Sequence, residues 1–217
     1  WDSYRFGEGD PEIGPNDLSL MKRLRNAGTD HRKFMRMITV YVDITAPLYW
    51  WKEFDTYKVG TVANSCSTMH KIHAKRFERD DFSHEHLMDG GNYILNSTID
   101  MLNEYRAQYL ETKDKKYWWQ MIQLLPSSYN QRRTVMLNYE VLANIYKSRQ
   151  NHRLDEWCLH ITPKEHEFCN KDFASGKWGF CDWIETLPYS ELITGPDLSR
   201  IPICDELVEE AKKRVEK

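Results

Sequence analysis

The sequence predicts an α+β fold in which a mixed β-sheet is flanked by long helices. Residues 35–45 are rich in β-branched side chains that partly alternate between two faces, which is typical of a strand. Residues 91–112 instead repeat apolar side chains at helical spacing, from Ile94 to Leu110. One clear strand among several long helices, with no internal repeat, indicates the α+β class.

The segment ahead of the strand predicts an irregular arm followed by a helix. Residues 1–14 are rich in Gly, Pro and Asp, which favours irregular structure. Asn16 or Asp17 can cap a helix that runs to about Ala27, and Gly28 supplies its stop. We therefore expect one helix before the strand.

The strand is expected to present a polar face and an apolar face. Alternation assigns Thr39, Tyr41 and Asp43 to one face, and Val40, Val42 and Ile44 to the other. Pro47 then predicts the start of a short aromatic helix. Residues 57–70 are predicted to form a loop or short strand, and residues 71–90 a charged, solvated segment.

Helical periodicity continues through the second half of the chain. A helix is predicted over about 115–124, and Pro126 ends it. A further helix is predicted over about 130–150, with a buried side formed by Val135, Leu137, Val141, Leu142, Ile145 and Tyr146. Both arginines of the pair Arg132–Arg133 would then lie on this helix.

The C-terminal region is expected to be less regular. Pro163 can begin a helix, residues 175–204 are predicted to be irregular, and a last charged helix is predicted over about 204–216. We therefore expect an α+β domain at residues 1–174, with the Trp-rich segment 175–217 packed on it.

Composition narrows the class of protein. The chain has 217 residues, 30 basic and 33 acidic, and a net charge of −3, so no overall positive field suggests a nucleic-acid partner. It has no apolar run long enough to span a membrane and no leader-like start. Five cysteines without a Cys-x-x-Cys pair favour reduced thiols. These observations predict a cytoplasmic protein without a membrane partner.

Two groups of polar residues are candidates for ligand binding. A small-residue loop combines hydroxyl, amide and cationic groups, which can hold a phosphate or a polar heterocycle, although it can also be an ordinary Ser/Thr-rich turn. Its members are Lys58, Thr61, Asn64, Ser65, Ser67, Thr68 and His70. Arg132 and Arg149 would lie about 25 Å apart along one helix, too far to bind a single phosphate. Solvated arginines are the alternative interpretation.

Metal binding is a weaker hypothesis. The histidines His70, His73, His84 and His86 could meet at a metal, but charged neighbours favour a solvated segment, and we expect no metal site. The pairs Trp50–Trp51 and Trp118–Trp119 are candidates for a core or a subunit interface, and an exposed aromatic patch would favour an oligomer.

Two stretches resemble the flavin-dependent thymidylate synthases. TVYVDITAPLYWWKEFDTYKVGT (39–61) is similar to the family's core strand, Ala-Pro step and aromatic helix. LPSSYNQRRTVMLNYEVLANIYKSR (125–149) resembles, without a gap, its Leu-Pro, Arg, Asn, Leu and Arg pattern. The matched positions are Leu125, Pro126, Arg132, Asn138, Leu142 and Arg149, and the resemblance covers roughly residues 15–160.

The chain departs from the family's signature motif. Thr56, Tyr57 and Lys58 stand where the family has Arg-His-Arg, so only Lys58 keeps the positive charge. Asn64 and Ser67 match the motif's second half if one residue is inserted. Because arginine and lysine do not bind phosphate equivalently, we expect flavin binding that is weaker than in the family.

The resemblance implies a function and a set of site residues. The family methylates dUMP, with FAD carrying the hydride from reduced nicotinamide and a folate donating the carbon, and it acts as a homotetramer. Catalytic roles are implied for Ser67 and, as a thiol nucleophile, for Cys66. Substrate binding is implied for Arg132, Asn64, Ser67 and Thr68, and cofactor binding for Lys58, Arg149, Arg153 and Asn138.

Two alternatives to this catalytic interpretation stay open. The first is an oligomer of the same fold that binds or sequesters a pyrimidine deoxynucleotide without flavin catalysis. The second is an unrelated metal-dependent hydrolase that uses the histidines. Flavin absorbance separates the first from the enzyme, and metal analysis tests the second.

Overall fold

The computed structural model describes residues 2–3, 13–65, 68–158 and 179–195. The chain divides into two compact units, one of residues 36–141 and the other of residues 1–35 with 142–217. The domain boundary that the sequence predicts at residues 174 and 175 lies outside the described residues, as do the helices predicted after Pro163 and over 204–216.

The unit of residues 36–141 contains a three-stranded sheet. Its strands are β1 (Thr39–Pro47), β2 (Val62–Ser65) and β3 (Asn130–Asn138), in the order β1-β3-β2. The α+β class is confirmed. The prediction of a mixed sheet is wrong for the described strands, because β3 runs antiparallel to both of its neighbours.

The strand β3 lies where the sequence predicts the first part of a long helix. The pattern predicts that residues 130–138 begin a helix, but they form a strand whose nine residues pair with all nine of β1. Val135 and Leu137 are buried, and Arg132 and Thr134 are exposed, which is the two-residue alternation of a strand. The helix α6 begins only at Tyr139 and ends at Arg149.

Two short helices flank β2 in sequence. The aromatic helix α2 (Leu48–Phe54) follows Pro47 as predicted, and α3 (Thr68–Lys71) follows the small-residue loop. Of the two alternatives predicted for Trp50 and Trp51, the core one is confirmed and the exposed interface patch is wrong, because each side chain is 1% exposed. Both rings pack edge-to-face on each other and against Phe54, so they belong to the core rather than to an interface.

A long helical hairpin completes this unit. It consists of α4 (Asp89–Thr112) and α5 (Lys115–Leu124), which agree closely with the predicted helices. Lys113 ends α4 in the left-handed conformation, and Asp114 caps α5 by accepting from the Lys116 backbone N–H. A buried cluster joins the hairpin to the segment before it through Ile72, Phe77, Phe82, Leu95, Ile99, Leu102 and Met121.

The charged segment 71–90 is therefore not wholly solvated. Phe77 and Phe82 are buried, and Asn103 of α4 bonds the backbone N–H and carbonyl of Phe77. A 3-10 helix at Arg79–Asp81 separates the two phenylalanines. The apolar residues spaced between the charges bind this segment to the hairpin.

The second unit contains α1 (Pro15–Asn26) and two short helices, Phe180–Glu185 and Glu191–Thr194. The predicted caps of α1, Asn16 and Asp17, are wrong. The formal cap is Gly14, and the carboxylate of Asp2 accepts from the backbone N–H groups of Asn16 and Asp17. A residue distant in sequence thus satisfies the first turn of the helix.

Candidate functional site

The exposed face of the sheet carries a small polar cluster. The register places Asp43 of β1, Thr134 of β3 and Asn64 of β2 in one row across the strands. Arg132 lies two residues along β3 on the same face, and its Nη2 donates to Asp43 Oδ2 at 2.5 Å. Thr134 donates its hydroxyl hydrogen to the other carboxylate oxygen of Asp43. This arrangement, the polar face, joins two predicted substrate residues, Asn64 and Arg132.

The polar face favours an ionised carboxylate at Asp43. The Thr134 hydroxyl bond and then the Arg132 guanidinium lower the pKa of Asp43 below its usual value. The Arg132 side chain is 62% exposed, so it remains accessible to a dissolved anion. A phosphate that approaches this face therefore meets a guanidinium that already pairs with an exposed carboxylate.

The residues predicted as one small-residue loop belong partly to the strand β2 and partly to the helix α3. Asn64 lies in β2 and is exposed, whereas Thr68 begins α3 and is partly buried. The predicted catalytic residues Cys66 and Ser67 lie between them, outside the described residues. Thr68 Oγ1 accepts from Gln131 Nε2 at 2.8 Å, which links the start of α3 to β3.

Arg133 occupies the opposite face of β3 from Arg132. Its side chain is only 16% exposed, and its guanidinium lies over the ring of Trp51, 4.2 Å from the centroid. Its Nη1 donates to Asp55 Oδ1, and its Nε donates to Gln131 Oε1, each at 2.8 Å. The two neighbouring arginines thus face opposite ways, not about 100° apart as on a helix.

Two predicted cofactor residues lie in the unit of residues 36–141. Lys58 is exposed in the loop after α2, where it can meet a phosphate. Asn138 ends β3, and its Oδ1 accepts from the Val141 backbone N–H at 3.0 Å, which caps α6. The amide nitrogen of Asn138 and the ammonium of Lys58 can each donate to a ligand.

The other two predicted cofactor residues lie in the second unit. Arg149 is in the last turn of α6, where its guanidinium lies over the ring of Trp157 at 4.9 Å from the centroid. Arg153 is exposed in the following turn. The predicted 25 Å separation of Arg132 and Arg149 along one helix is wrong, because Arg132 precedes the helix and belongs to a strand.

Metal and apolar-ligand sites were also sought among the described residues. Within these residues, no group of three His, Cys, Asp or Glu side chains is arranged to hold a metal, and the four histidines are not gathered at one point. A groove of about 450 Å³ between α4 and α5 is lined by uncharged side chains, and none of the predicted site residues lines it. The polar face is therefore the better candidate for an anionic ligand.

Sequence reasoning missed three residues of the site: Asp43, Thr134 and Gln131. The alternation in β1 places Asp43 on the polar side of the strand, but no pattern pairs it with residues 89 and 91 positions later. The helix predicted over 130–150 included Thr134 and Gln131, which concealed their relation to Asn64 and Thr68.

The architecture is that of the flavin-dependent thymidylate synthases. The chain is similar to the flavin-dependent thymidylate synthase ThyX of Helicobacter pylori, solved in complex with FAD and dUMP, with 14% identity over 83% of each chain and a TM-score of 0.54. A second structure of that enzyme with FAD and dUMP gives 13% identity, the same coverage and a TM-score of 0.53. The match shows a shared fold and confirms the resemblance at that level.

The remaining comparisons give a weaker structural match and no match to a family model or a curated protein. The UMP/dUMP methylase PolB of Streptomyces cacaoi, bound with 5-Br dUMP, gives a TM-score of 0.48 at 12% identity, over 65% of this chain and 66% of its own. No family model matches the sequence, and no curated protein matches it either. Among the described residues, no helix is long and apolar enough to cross a membrane.

Proposed function

We propose that this protein is a divergent relative of the flavin-dependent thymidylate synthases that binds a pyrimidine deoxynucleoside monophosphate and modifies its C5 position. The observation that carries the proposal is the exposed Arg132 on β3, at the position where the family-like motif has its nucleotide-binding arginine. The shared fold over 83% of the chain supports the same assignment.

The polar face suits the two ends of such a ligand. A guanidinium can meet a phosphate with two parallel hydrogen bonds, which makes Arg132 the group for the phosphate end. Asn64 is its diagonal neighbour on β2, about 7–8 Å away between Cα atoms in such a pairing, a span that a nucleotide can bridge. The amide of Asn64 can both donate to and accept from the edge of a pyrimidine.

The flavin has weaker support than the nucleotide. Bound FAD would supply hydride transfer, and the protein would supply orientation and charge. The family resemblance assigns Lys58, Arg149 and Arg153 to the flavin phosphates. Thr56 and Tyr57 in place of the family's first two signature residues favour the alternative of a nucleotide-binding protein with weak or lost flavin chemistry.

The test is calorimetric titration of dUMP into the wild type, Arg132→Ala and Arg132→Lys. Loss of a charge-assisted contact is worth about 1.5–3 kcal/mol, so we expect Arg132→Ala to weaken binding at least tenfold and Arg132→Lys to recover part of the loss. The exposed Arg76→Ala is the matched control. A wild type that binds no dUMP, or an Arg132→Ala variant that binds normally, contradicts the proposal.

We also propose a homotetramer, on the basis of the family resemblance alone. The burial of Trp50 and Trp51 removes half of the aromatic patch that the sequence offers for an interface. Multi-angle light scattering at micromolar concentration should give four times the 26.0 kDa mass of the chain. A monomer would contradict the proposed homotetramer.

A further inference from the structure

An apolar row crosses the sheet on the same side as the polar face. The register aligns Tyr41 of β1, Met136 of β3 and Val62 of β2 across the three strands. Directly opposite residues of antiparallel strands project to one side, and Met136 is two residues from Thr134, so this row shares the side of Arg132. Tyr41 is 73% exposed and Val62 is 60% exposed. This side of the sheet therefore offers an exposed, uncharged row together with a guanidinium.

Tyr41 is the aromatic member of the apolar row. Within the part of the chain that the structure describes, its side chain makes no hydrogen bond, ring contact or ion contact. Nucleic-acid bases stack on exposed aromatic rings, because every base has a flat π face. The ring of Tyr41 is thus accessible to a planar ligand, whereas Met136 and Val62 can give only aliphatic contact.

The rows of this side follow the order of the groups in a nucleotide. Arg132 and Met136 lie four residues apart on β3, which is about 13 Å along the strand, and Thr134 lies midway between them. The sugar of a nucleoside monophosphate lies between its phosphate and its base. A phosphate on Arg132 therefore places the sugar over Thr134 and the base at the apolar row. In the opposite direction β1 ends at the buried Pro47, so the open side leads towards Met136.

We propose that Tyr41 is a further nucleotide-binding residue, whose ring stacks on the pyrimidine base while Arg132 binds the phosphate. This inference rests on the proposed function, in which Asn64 meets the edge of the base. Asn64 lies on β2 two residues from Val62 and on the same side, so it borders the apolar row. The two contacts are compatible, because stacking uses the face of the base and the amide uses its edge.

The test is calorimetric titration of two ligands, dUMP and 2-deoxyribose 5-phosphate, which keeps the sugar and the phosphate but lacks the base. Tyr41→Leu retains an apolar side chain and removes the ring. We expect it to raise the Kd for dUMP at least about fivefold, the scale of one stacked base, and to leave the Kd for deoxyribose phosphate unchanged. Arg132→Ala should weaken the binding of both ligands. Tyr41→Phe keeps the ring and should recover most of the affinity that Tyr41→Leu loses.

Tyr93→Leu is the matched control. Tyr93 is 74% exposed, almost as much as Tyr41, but it lies on α4 rather than on the sheet. This control should leave both Kd values unchanged. Because both tyrosines are exposed, neither substitution should change the Tm appreciably.

Four results would overturn the inference. The first is a normal Kd for dUMP in Tyr41→Leu, and the second is an equal rise in Kd for dUMP and for deoxyribose phosphate, which would show a general disturbance of the sheet. The third is a Tyr41→Phe variant as weak as Tyr41→Leu, because the hydroxyl would then be the binding group. The fourth is a smaller mass of Tyr41→Leu than of the wild type in light scattering, which would assign the apolar row to a subunit contact.

Failure of the proposed function gives a different result. A wild type that binds no dUMP, or an Arg132→Ala variant that binds it normally, contradicts the proposed function whatever Tyr41→Leu does. Dependence on Arg132 without dependence on Tyr41 contradicts the stacking alone.

Discussion

Asp43 of β1 and Arg132 of β3 form an ion pair across the exposed face of the sheet, at two positions separated by 89 residues of chain. The register aligns Thr45, not Asp43, with Arg132, so the pair is diagonal and leaves Thr134 directly opposite the carboxylate. In the proposed function the Arg132 guanidinium binds phosphate. A phosphate must then compete with the Asp43 carboxylate for this group.

Removal of the competing carboxylate should strengthen nucleotide binding. Because the competing ion pair is exposed and therefore weak, Asp43→Asn should lower the Kd for dUMP about 2- to 5-fold. Calorimetric titration measures the effect, with the exposed Asp100→Asn of α4 as a control for net charge. A weaker affinity in Asp43→Asn would show that the carboxylate orients Arg132 rather than competing for it.

The same carboxylate should contribute to stability in a pH-dependent manner. The pKa of Asp43 is lowered in the folded protein, so its contribution is present above 3.8, the ordinary value, and is lost as the pH falls through the lowered pKa. Urea unfolding at pH 7 and pH 3 should show that the stability difference between wild type and Asp43→Asn shrinks at the lower pH. A difference that is constant with pH would contradict an ionised pair.

Glycine at position 60 should be required for its backbone conformation. Gly60 has φ +74°, and a Cβ there would lie 3.0 Å from both Asn138 Nδ2 and Val141 Cγ2. Gly60→Ala should therefore destabilise the protein by about 1–3 kcal/mol. Gly90→Ala in α4 meets nothing within 4 Å and should stabilise it by about 0.5–1 kcal/mol. Equal effects in urea unfolding would contradict this account.

The hairpin core should depend on Leu102. Leu102 lies on α4 and is fully buried in the cluster that α4 forms with α5 and the segment before α4. Leu102→Ala should therefore lower the free energy of unfolding by about 2–5 kcal/mol. Leu110 lies near the end of the same helix and is substantially exposed, and Leu110→Ala should change stability by about 0.5 kcal/mol or less. Chemical denaturation with helical circular dichroism compares the two.

Flavin binding should be separable from helix capping at Asn138. Asp can accept the Val141 N–H as Asn does, so Asn138→Asp should keep the stability of the wild type, whereas Asn138→Ala should lose about 1 kcal/mol. If the amide nitrogen of Asn138 contacts flavin, Asn138→Asp should bind less FAD in an equilibrium titration.

We expect the purified wild type to be colourless, because flavin binding is expected to be weak. A stoichiometric yellow protein would contradict the expected weak binding.

The sequence alone determined the elements whose signals are local. The β-branched alternation over 35–45 located β1, which runs from Thr39 to Pro47 after a 3-10 helix that ends at Met37, and it identified the polar side that holds Asp43. Helical periodicity located α4 and α5 almost to their ends. Each depends on residues within one or two turns of each other, so no distant partner is needed to recognise it. The family-like motif also identifies Arg132 as a candidate ligand of the nucleotide, because the residues around it match the motif without a gap.

Only the tertiary structure decided whether residues 130–138 form a strand or a helix, and which way their side chains point. The spacing of Val135 and Leu137 is compatible with a strand as well as with a helix. Pairing with β1, which precedes the helical hairpin α4–α5 in the sequence whereas β3 follows it, selects the strand. That selection turns Arg132 towards solvent and Arg133 towards Trp51, instead of placing both on one helix. The physical reason is that sheet hydrogen bonds join residues that are distant in sequence, so local spacing cannot reveal them.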